Sequence, residues 1–382
     1  MPAERWLGRR GLLKGAGIAM LALMTTRNPI GGASADSLAQ GPSHAEEDDT
    51  ITLFLCGDVM TGRGIDQVLP HPADPRLYEP YVTSALDYVA LAERANGPIP
   101  QPVDFPYIWG YVLDELVRVG PDLRIVNLET AVTRATEPLP KGINYKMSPD
   151  NVPCLTAAAI DCCTLANNHV LDWGQTGLAE TLETLDGAGL KYAGAGPDLR
   201  QAEAPAILEV PGKGRVLVFA FGVPSSGVPR SWAAAEDRPG VAFLPELTPE
   251  GVRRISRQIA SIRRPGDIVI ASIHWGGNWG YKVPDRQREF AHGLIKEAGV
   301  DIVHGHSSHH AKGIEVYRGG LVLYGCGDFI NDYEGIEGHE AYRDDLPLMY
   351  FVTVTPRSGR LMRLEMVPLR MRNFRLQRAS EA

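Results

Sequence analysis

From residue 51 onward, short apolar runs of strand length alternate with stretches of helical periodicity, and that alternation restricts the chain to an α/β architecture. The runs are 51–56 (ITLFLC), 124–128, 162–166, 215–221, 267–274, 301–303, 321–324 and 348–354. Apolar residues at helical spacing fill 107–119, 175–188, 249–262 and 284–298. Continuous apolar runs, rather than alternating ones, predict strands buried on both faces. Strands separated by helices predict an α/β architecture with a largely buried sheet. Residues 348–354 and 360–368, on either side of Arg357-Ser358-Gly359, read as a hairpin. No internal repeat or interdomain linker interrupts the pattern, so 51–382 is expected to form a single domain. The long loops 222–239 and 327–347 are candidate walls of a site.

Residues 1–35 do not share this pattern. Arg5, Arg9, Arg10 and Lys14 precede a weakly apolar stretch, 15–24, and Ala33-Ser34-Ala35 follows as a small-residue cleavage site. That order predicts a cleavable export signal, and Arg9-Arg10-Gly11-Leu12-Leu13-Lys14 resembles the twin-arginine type. The apolar stretch is shorter than the roughly 20 residues a bilayer-spanning helix needs. An acidic linker, 36–50, ends in Glu46-Glu47-Asp48-Asp49. The expected location is therefore periplasmic or extracellular.

Charge narrows the partners. The 382 residues carry a formal charge of −8 with no long basic run, which argues against nucleic acid. Removing 1–35 makes the remainder more acidic still, so an anionic polymer would need a local basic patch to dock on. Five cysteines without framework spacing exclude a disulfide-stapled scaffold. Cys56, Cys162, Cys163 and Cys326 sit in or beside apolar runs and read as small core residues.

The informative feature is where the polar residues fall. The apolar runs end in Gly57-Asp58, Asn127-Leu128-Glu129, Asn167-Asn168-His169, His274-Trp275-Gly276, the 304–310 segment with His304, His306, His309 and His310, and Gly325-Cys326-Gly327-Asp328. In open α/β sheets the ligand crevice lies beyond the carboxyl ends of the strands. Singly, each has a plainer reading: a carboxylate capping a helix, a structural histidine, a polar turn. Together they deliver oxygen and imidazole donors to one edge, a set suited to a hard or borderline divalent cation.

These segments resemble the CapA family, named for capsule and poly-γ-glutamate biosynthesis, which shares the fold of calcineurin-like metallophosphoesterases. The resemblance runs through residues 57–63, 127–130, 166–174, 274–276, 305–309 and 325–331. It implies a two-sheet sandwich flanked by helices, in a four-layer αββα order, and a metal centre built residue by residue. Asp58 matches the first-site aspartate and Glu129 the bridging carboxylate. Asn168 matches an amide ligand and His169 the adjacent proton donor, while His274 and His306 match imidazole ligands. The catalytic pair is then His169 and Asp58.

Two departures shape the expectation. Met60 stands where the superfamily has histidine, and Ser308 stands where it has a second one. A thioether is a poor ligand for a hard cation. The ligand set Asp58, Glu129, Asn168, His274 and His306 then divides. One tight divalent ion is expected on Glu129, Asn168, His274 and His306, and a weak or absent second where only Asp58 and a share of Glu129 remain, with Zn, Mn, Fe, Mg and Ca undistinguished. His304 and His309 are possible additional metal or catalytic residues. Arg63, Lys146 and Arg343 are candidates to clamp an anionic group, and Trp275, Trp279 and Tyr281 to line a groove. Asp172 is expected to cap the helix beginning near Gln175 rather than to orient His169.

Three functions fit. The first is a metal-dependent, hydrolase-like enzyme of capsule or polyglutamate synthesis, with an anionic polymer or peptide as substrate and a membrane-bound synthase as possible partner. The second is a metal-assisted peptide epimerase that removes and returns an α-proton. The third is a non-catalytic accessory module of the synthase.

Overall fold

The computed structural model describes residues 50–379. The expected signal segment 1–35, and the linker up to Asp49, lie outside the described residues. No described helix is long and apolar enough to cross a membrane.

Two large mixed sheets organise the chain. The eight-stranded sheet contains β1 (Ile51–Val59), β2 (Leu123–Leu128), β3 (Cys162–Thr164) and β4 (Lys191–Ala193), all parallel. The second, six-stranded sheet is built on β5 (Ala206–Val210), β6 (Gly214–Gly222), β7 (Ile268–His274), β8 (Ile302–His306), β9 (Ile314–Tyr317) and β10 (Gly320–Leu323). Here β6, β7, β8 and β10 run parallel, and β5 and β9 close the edges antiparallel. The chain then returns to the first sheet: β11 (Asp328–Ile330) lies parallel beside the end of β1, and β12 (Leu348–Thr355), β13 (Arg360–Arg372) and β14 (Arg375–Arg378) extend it antiparallel.

Burial explains the continuous apolar runs. Ile51, Leu53, Phe54, Leu55, Val216, Val218, Ile268, Ile270, Ile302 and Leu323 share one core that spans both sheets. The opposite face of the second sheet, carrying Leu217, Phe219, Val269, Ala271 and Val303, packs on α4 (Pro249–Ala260) and α5 (Asp285–Gly293). Val112 and Leu116 of α2 (Tyr111–Val119) and Leu178, Leu182 and Leu185 of α3 (Gly174–Gly187) join the larger core. Each fully buried aliphatic side chain contributes roughly 1.5–3 kcal/mol, and this rigid apolar body offsets the cost of burying carboxylates at its edge. All five cysteines are buried thiols; the apolar runs predicted this for Cys56, Cys162, Cys163 and Cys326, whereas Cys154 lies on the short helix Pro153–Ala157.

Local differences from the sequence reading have simple causes. The strand expected over 162–166 stops at Thr164, because Asn167 turns inward and donates to the Leu128 carbonyl at 2.8 Å. The 284–298 helix loosens into a π-turn at Leu294–Ala298 before Gly299. The short edge strands β4, β5, β9 and β14, and α1 (Leu86–Asn96), were not anticipated. Their apolar content is too small to stand out without the neighbours they pair with.

Candidate metal centre

Parallel strands end on one side, so their final residues meet. Asp58 on β1, His274 on β7 and His306 on β8 offer ligand atoms that all lie within 4.8 Å of one another. His274 and His306 are register partners, and their Nδ1 atoms are 2.7 Å apart. The Nε2 of His274 is 2.8 Å from Oδ1 of Asn168 and 3.5 Å from Oε1 of Glu129. His306 Nδ1 is 3.9 Å from Asp58 Oδ1, and its Nε2 is 2.7 Å from the Ser272 hydroxyl. Asp58 is held rigidly: Oδ1 accepts from Asn127 Nδ2 at 2.7 Å and Oδ2 from the Ser307 amide at 3.1 Å. The preceding Gly57 is required, since a Cβ there would sit 1.6 Å from the Gly327 carbonyl oxygen. That close approach packs the end of β1 against the segment leading into β11.

The electrostatics suit a cation. Burial, reinforced by the neighbouring Asp328 carboxylate, raises the Asp58 carboxyl to about 7. Burial and the Asp58 charge push Glu129 well above the usual carboxylate range. Burial holds His274 and His306 well below the ordinary imidazole range, as neutral donors. Glu129 Oε2 is buried without a hydrogen-bond partner among the described residues. Crowded carboxylates, facing neutral imidazoles and an orphaned carboxylate oxygen are what a divalent cation would satisfy, so the donor set fits such an ion. Asp58, His274 and His306 would hold it, with Glu129 and Asn168 adjoining.

His169 borders this cluster, its Nε2 3.9 Å from Glu129 Oε1. Its Nδ1 lies 2.6 Å from Asp172 Oδ2, and its ring meets the edge of Tyr145 at 4.3 Å. Asp172 also accepts from the Tyr145 amide and from Lys141 Nζ, each at 2.7 Å. The preference for Asp172 as a helix cap is therefore corrected: α3 has no side-chain cap, and the carboxylate fixes the imidazole instead. Burial lowers His169 to about 4, opposed by Asp172 and assisted by Lys141.

A second histidine–aspartate pair lies nearby. His309 Nδ1 is 2.9 Å from Asp328 Oδ1, and its Nε2 is 2.9 Å from Asn278 Nδ2. Burial alone would lower the His309 pKa, but Asp328 outweighs it and the net shift is upward. His309 opens into a cavity of about 300 Å³ walled by Tyr81, Tyr88, Tyr145, Trp279, Tyr333 and His339. Met60 is buried and accepts from the Tyr333 hydroxyl through sulfur at 3.7 Å, while Ser308 donates to the His310 carbonyl. Neither belongs to the Asp58–His274–His306 cluster.

Several expected site residues are placed elsewhere. His304 uses both nitrogens structurally, Nε2 at 2.7 Å from the Cys56 carbonyl and Nδ1 at 3.2 Å from Ser272 Oγ, and so ties the two sheets together. Arg63 is buried and spent internally on Asp332, Glu79 and the Tyr88 hydroxyl, with its guanidinium 3.9 Å from the Tyr88 ring centroid. It braces the cavity wall rather than clamping an anion. Lys146 lies over Trp173 at 3.9 Å and donates to the Ala135 carbonyl. Trp275 is core, donating to the Tyr324 carbonyl at 3.0 Å; Trp279 is the residue that reaches the cavity, stacked on His339 at 3.7 Å. Arg343 pairs with Asp345 on the surface, and Tyr281 is half exposed against Tyr342. Sequence reasoning missed Lys141, Tyr145 and Ser272, which carry no spacing signal, and placed Asp328 at the last strand end without assigning it a role.

Residues 52–333 match the family described as "Bacterial capsule synthesis protein PGA_cap". Over 335 residues the chain is 50% identical to the "Probable polyglutamine synthesis accessory protein" of Mycobacterium tuberculosis, covering 87% of this chain and 88% of that one. It is 24% identical over 334 residues to the "Capsule biosynthesis protein CapA" of Bacillus anthracis, covering 87% and 70%. A phosphatase structure from Mycoplasma pneumoniae overlays 84% of this chain and 93% of its own, at 12% identity and a TM-score of 0.46. A likeness that loose carries no argument about chemistry.

Proposed function

The chain belongs to the bacterial capsule synthesis protein family, PGA_cap, and from that premise we propose that it is a metal-dependent, hydrolase-like enzyme of capsule or polyglutamate synthesis. The observation that carries the proposal is the buried Asp58–His274–His306 cluster with the orphaned Glu129 oxygen beside it. A divalent cation bound there supplies a Lewis acid for a phosphoryl or carbonyl oxygen. His169 moves the proton. Neutral at pH 7, it donates Nδ1–H to Asp172 and keeps the Nε2 lone pair on the Glu129 side. When Nε2 takes a proton, the Asp172 carboxylate stabilises the imidazolium. Lys141 competes for that carboxylate and moderates the base.

One observation favours a second reading. A peptide epimerase needs two groups that exchange an α-proton, and His169–Asp172 and His309–Asp328 supply two such pairs. The order of basic, apolar and small residues in 1–35 supports export through a twin-arginine-type signal. A membrane synthase is the partner that this placement favours.

The test is elemental mass spectrometry on purified protein and on His306→Ala, followed by assays of the loaded protein. One ion per chain, lost in the variant, supports the centre. Cleavage of a chromogenic phosphodiester supports the hydrolase, whereas deuterium uptake at a peptide α-carbon without cleavage supports the epimerase. No metal after reconstitution sinks both.

A further inference from the structure

Among the described residues, the metal centre has no free Lys or Arg with which to grip a polyanion. Arg63 is consumed by Asp332 and Glu79, Lys141 by Asp172, and Lys146 lies over Trp173. The cavity beside it adds a carboxylate, Asp344. In a chain of charge −8, an acidic polymer must find its cations elsewhere.

They stand at the other end of the second sheet. Lys296 after α5, Arg318 in the β9–β10 turn and Arg360 at the start of β13 line a cavity of about 500 Å³, together with Asp301, Gly319 and Gly359. All three cationic side chains are exposed, and none is ion-paired among the described residues. Asp301, the one carboxylate in the wall among the described residues, already accepts from the Val269 amide at 2.8 Å and faces Arg263 at 3.4 Å. The turns are drawn tightly together: the Leu361 amide donates to the Gly319 carbonyl at 2.9 Å, and a Cβ on Gly359 would fall 1.7 Å from Asp301 Oδ1. Asp301 and Gly320 immediately precede or open β8 and β10, whereas His306 closes β8. The cavity and the metal centre thus lie a strand's length apart, roughly 15–20 Å at about 3.3 Å per residue.

We propose that this cavity is a polycarboxylate-binding site, holding carboxylates of an acidic polymer on Lys296, Arg318 and Arg360 away from the metal centre. The cavity and its cations, unpaired among the described residues, carry the assignment; the choice of polymer rests on the proposed role in capsule or polyglutamate synthesis, and the metal reading is not needed. Guanidinium groups suit carboxylates because they donate two parallel hydrogen bonds in one plane.

The test measures binding of a labelled γ-linked glutamate oligomer to the wild-type chain, to the Lys296→Ala/Arg318→Ala/Arg360→Ala triple variant and to His306→Ala. Expected is an affinity that weakens with added NaCl, falls on the order of tenfold or more in the triple variant, and is unchanged in His306→Ala. Circular dichroism of the triple variant checks that these exposed positions leave the fold intact. Equal affinity in the folded triple variant, or loss in His306→Ala alone, overturns the assignment. So does capture by phosphatidylglycerol vesicles that depends on the three cations while the oligomer fails to bind. Loss of metal from His306→Ala with oligomer binding retained separates the two sites.

Discussion

Asp172 Oδ2 lies 2.6 Å from Nδ1 of His169, three residues earlier in the chain, and both are buried at the rim of the Asp58–His274–His306 cluster. The contact sets the tautomer: Nδ1 carries the hydrogen and Nε2 is left to exchange a proton. It also makes Asp172 a positioning residue, acting through His169.

Asp172→Asn is therefore expected to reduce turnover by about 10²–10⁴, the usual range for loss of a positioned proton-transfer group. Asp172 raises the His169 pKa against the larger effect of burial, so the variant should titrate below the wild-type value of about 4. Histidine NMR titration checks this. A merely structural role for Asp172 predicts lost stability with an unmoved titration.

Metal affinity should rise with pH. Asp58 holds its proton up to about 7 in the metal-free chain because burial and Asp328 disfavour the anion, and a carboxylate must release that proton to coordinate. Affinity is expected to gain roughly tenfold per unit for each proton released as pH approaches 7, then to level off. Calorimetry in buffers of different ionisation enthalpy would count the protons.

The metal-free fold should lose stability on the acid side of neutrality. His169 is depressed to about 4, and His304 likewise, both chiefly by burial. A depressed folded-state pKa means the unfolded chain binds protons first, so this stability is present above about 6.5 and is lost as pH falls toward 4. Asp58, raised to about 7, acts oppositely and weakens the fold as pH rises from about 4 to 7. Chemical denaturation from pH 4 to 8 should then show a maximum inside that window for metal-free protein. A monotonic profile would contradict it.

His304→Ala and His306→Ala should separate structure from ligation. Removing His304 strands the Cys56 carbonyl in the sheet interface and should cost about 1–3 kcal/mol while metal content holds. His306→Ala should lose the metal at smaller cost to the apo fold. Melting curves paired with elemental analysis distinguish them.

Arg63→Ala leaves Asp332 and Glu79 buried without their partner. Destabilisation of about 3–5 kcal/mol is expected in urea titrations. Loss of substrate affinity in a fully stable variant would restore the clamping role that its position in sequence had offered.

The alternation of apolar runs and helical periods was enough to give the α/β class, the main strands and the edge on which Asp58, Glu129, Asn168, His169, His274 and His306 gather. Those features are legible because burial on both faces writes itself into local composition, and because parallel strands must end together. Roles within the edge were not legible. His304 and His306 are two residues apart on one strand and point to the same side of the sheet, yet only the facing sheet decides their roles. The Cys56 carbonyl captures His304, while His306 turns to His274 and Asp58. Arg63 stands in a family motif, but Asp332, 269 residues away, takes its charge. Lys296, Arg318 and Arg360 are unremarkable in sequence and meet only because a helix end and two turns close on one cavity. Composition reports what a segment buries, whereas the partner a polar group finds depends on contacts between distant segments, and only the tertiary structure decided those.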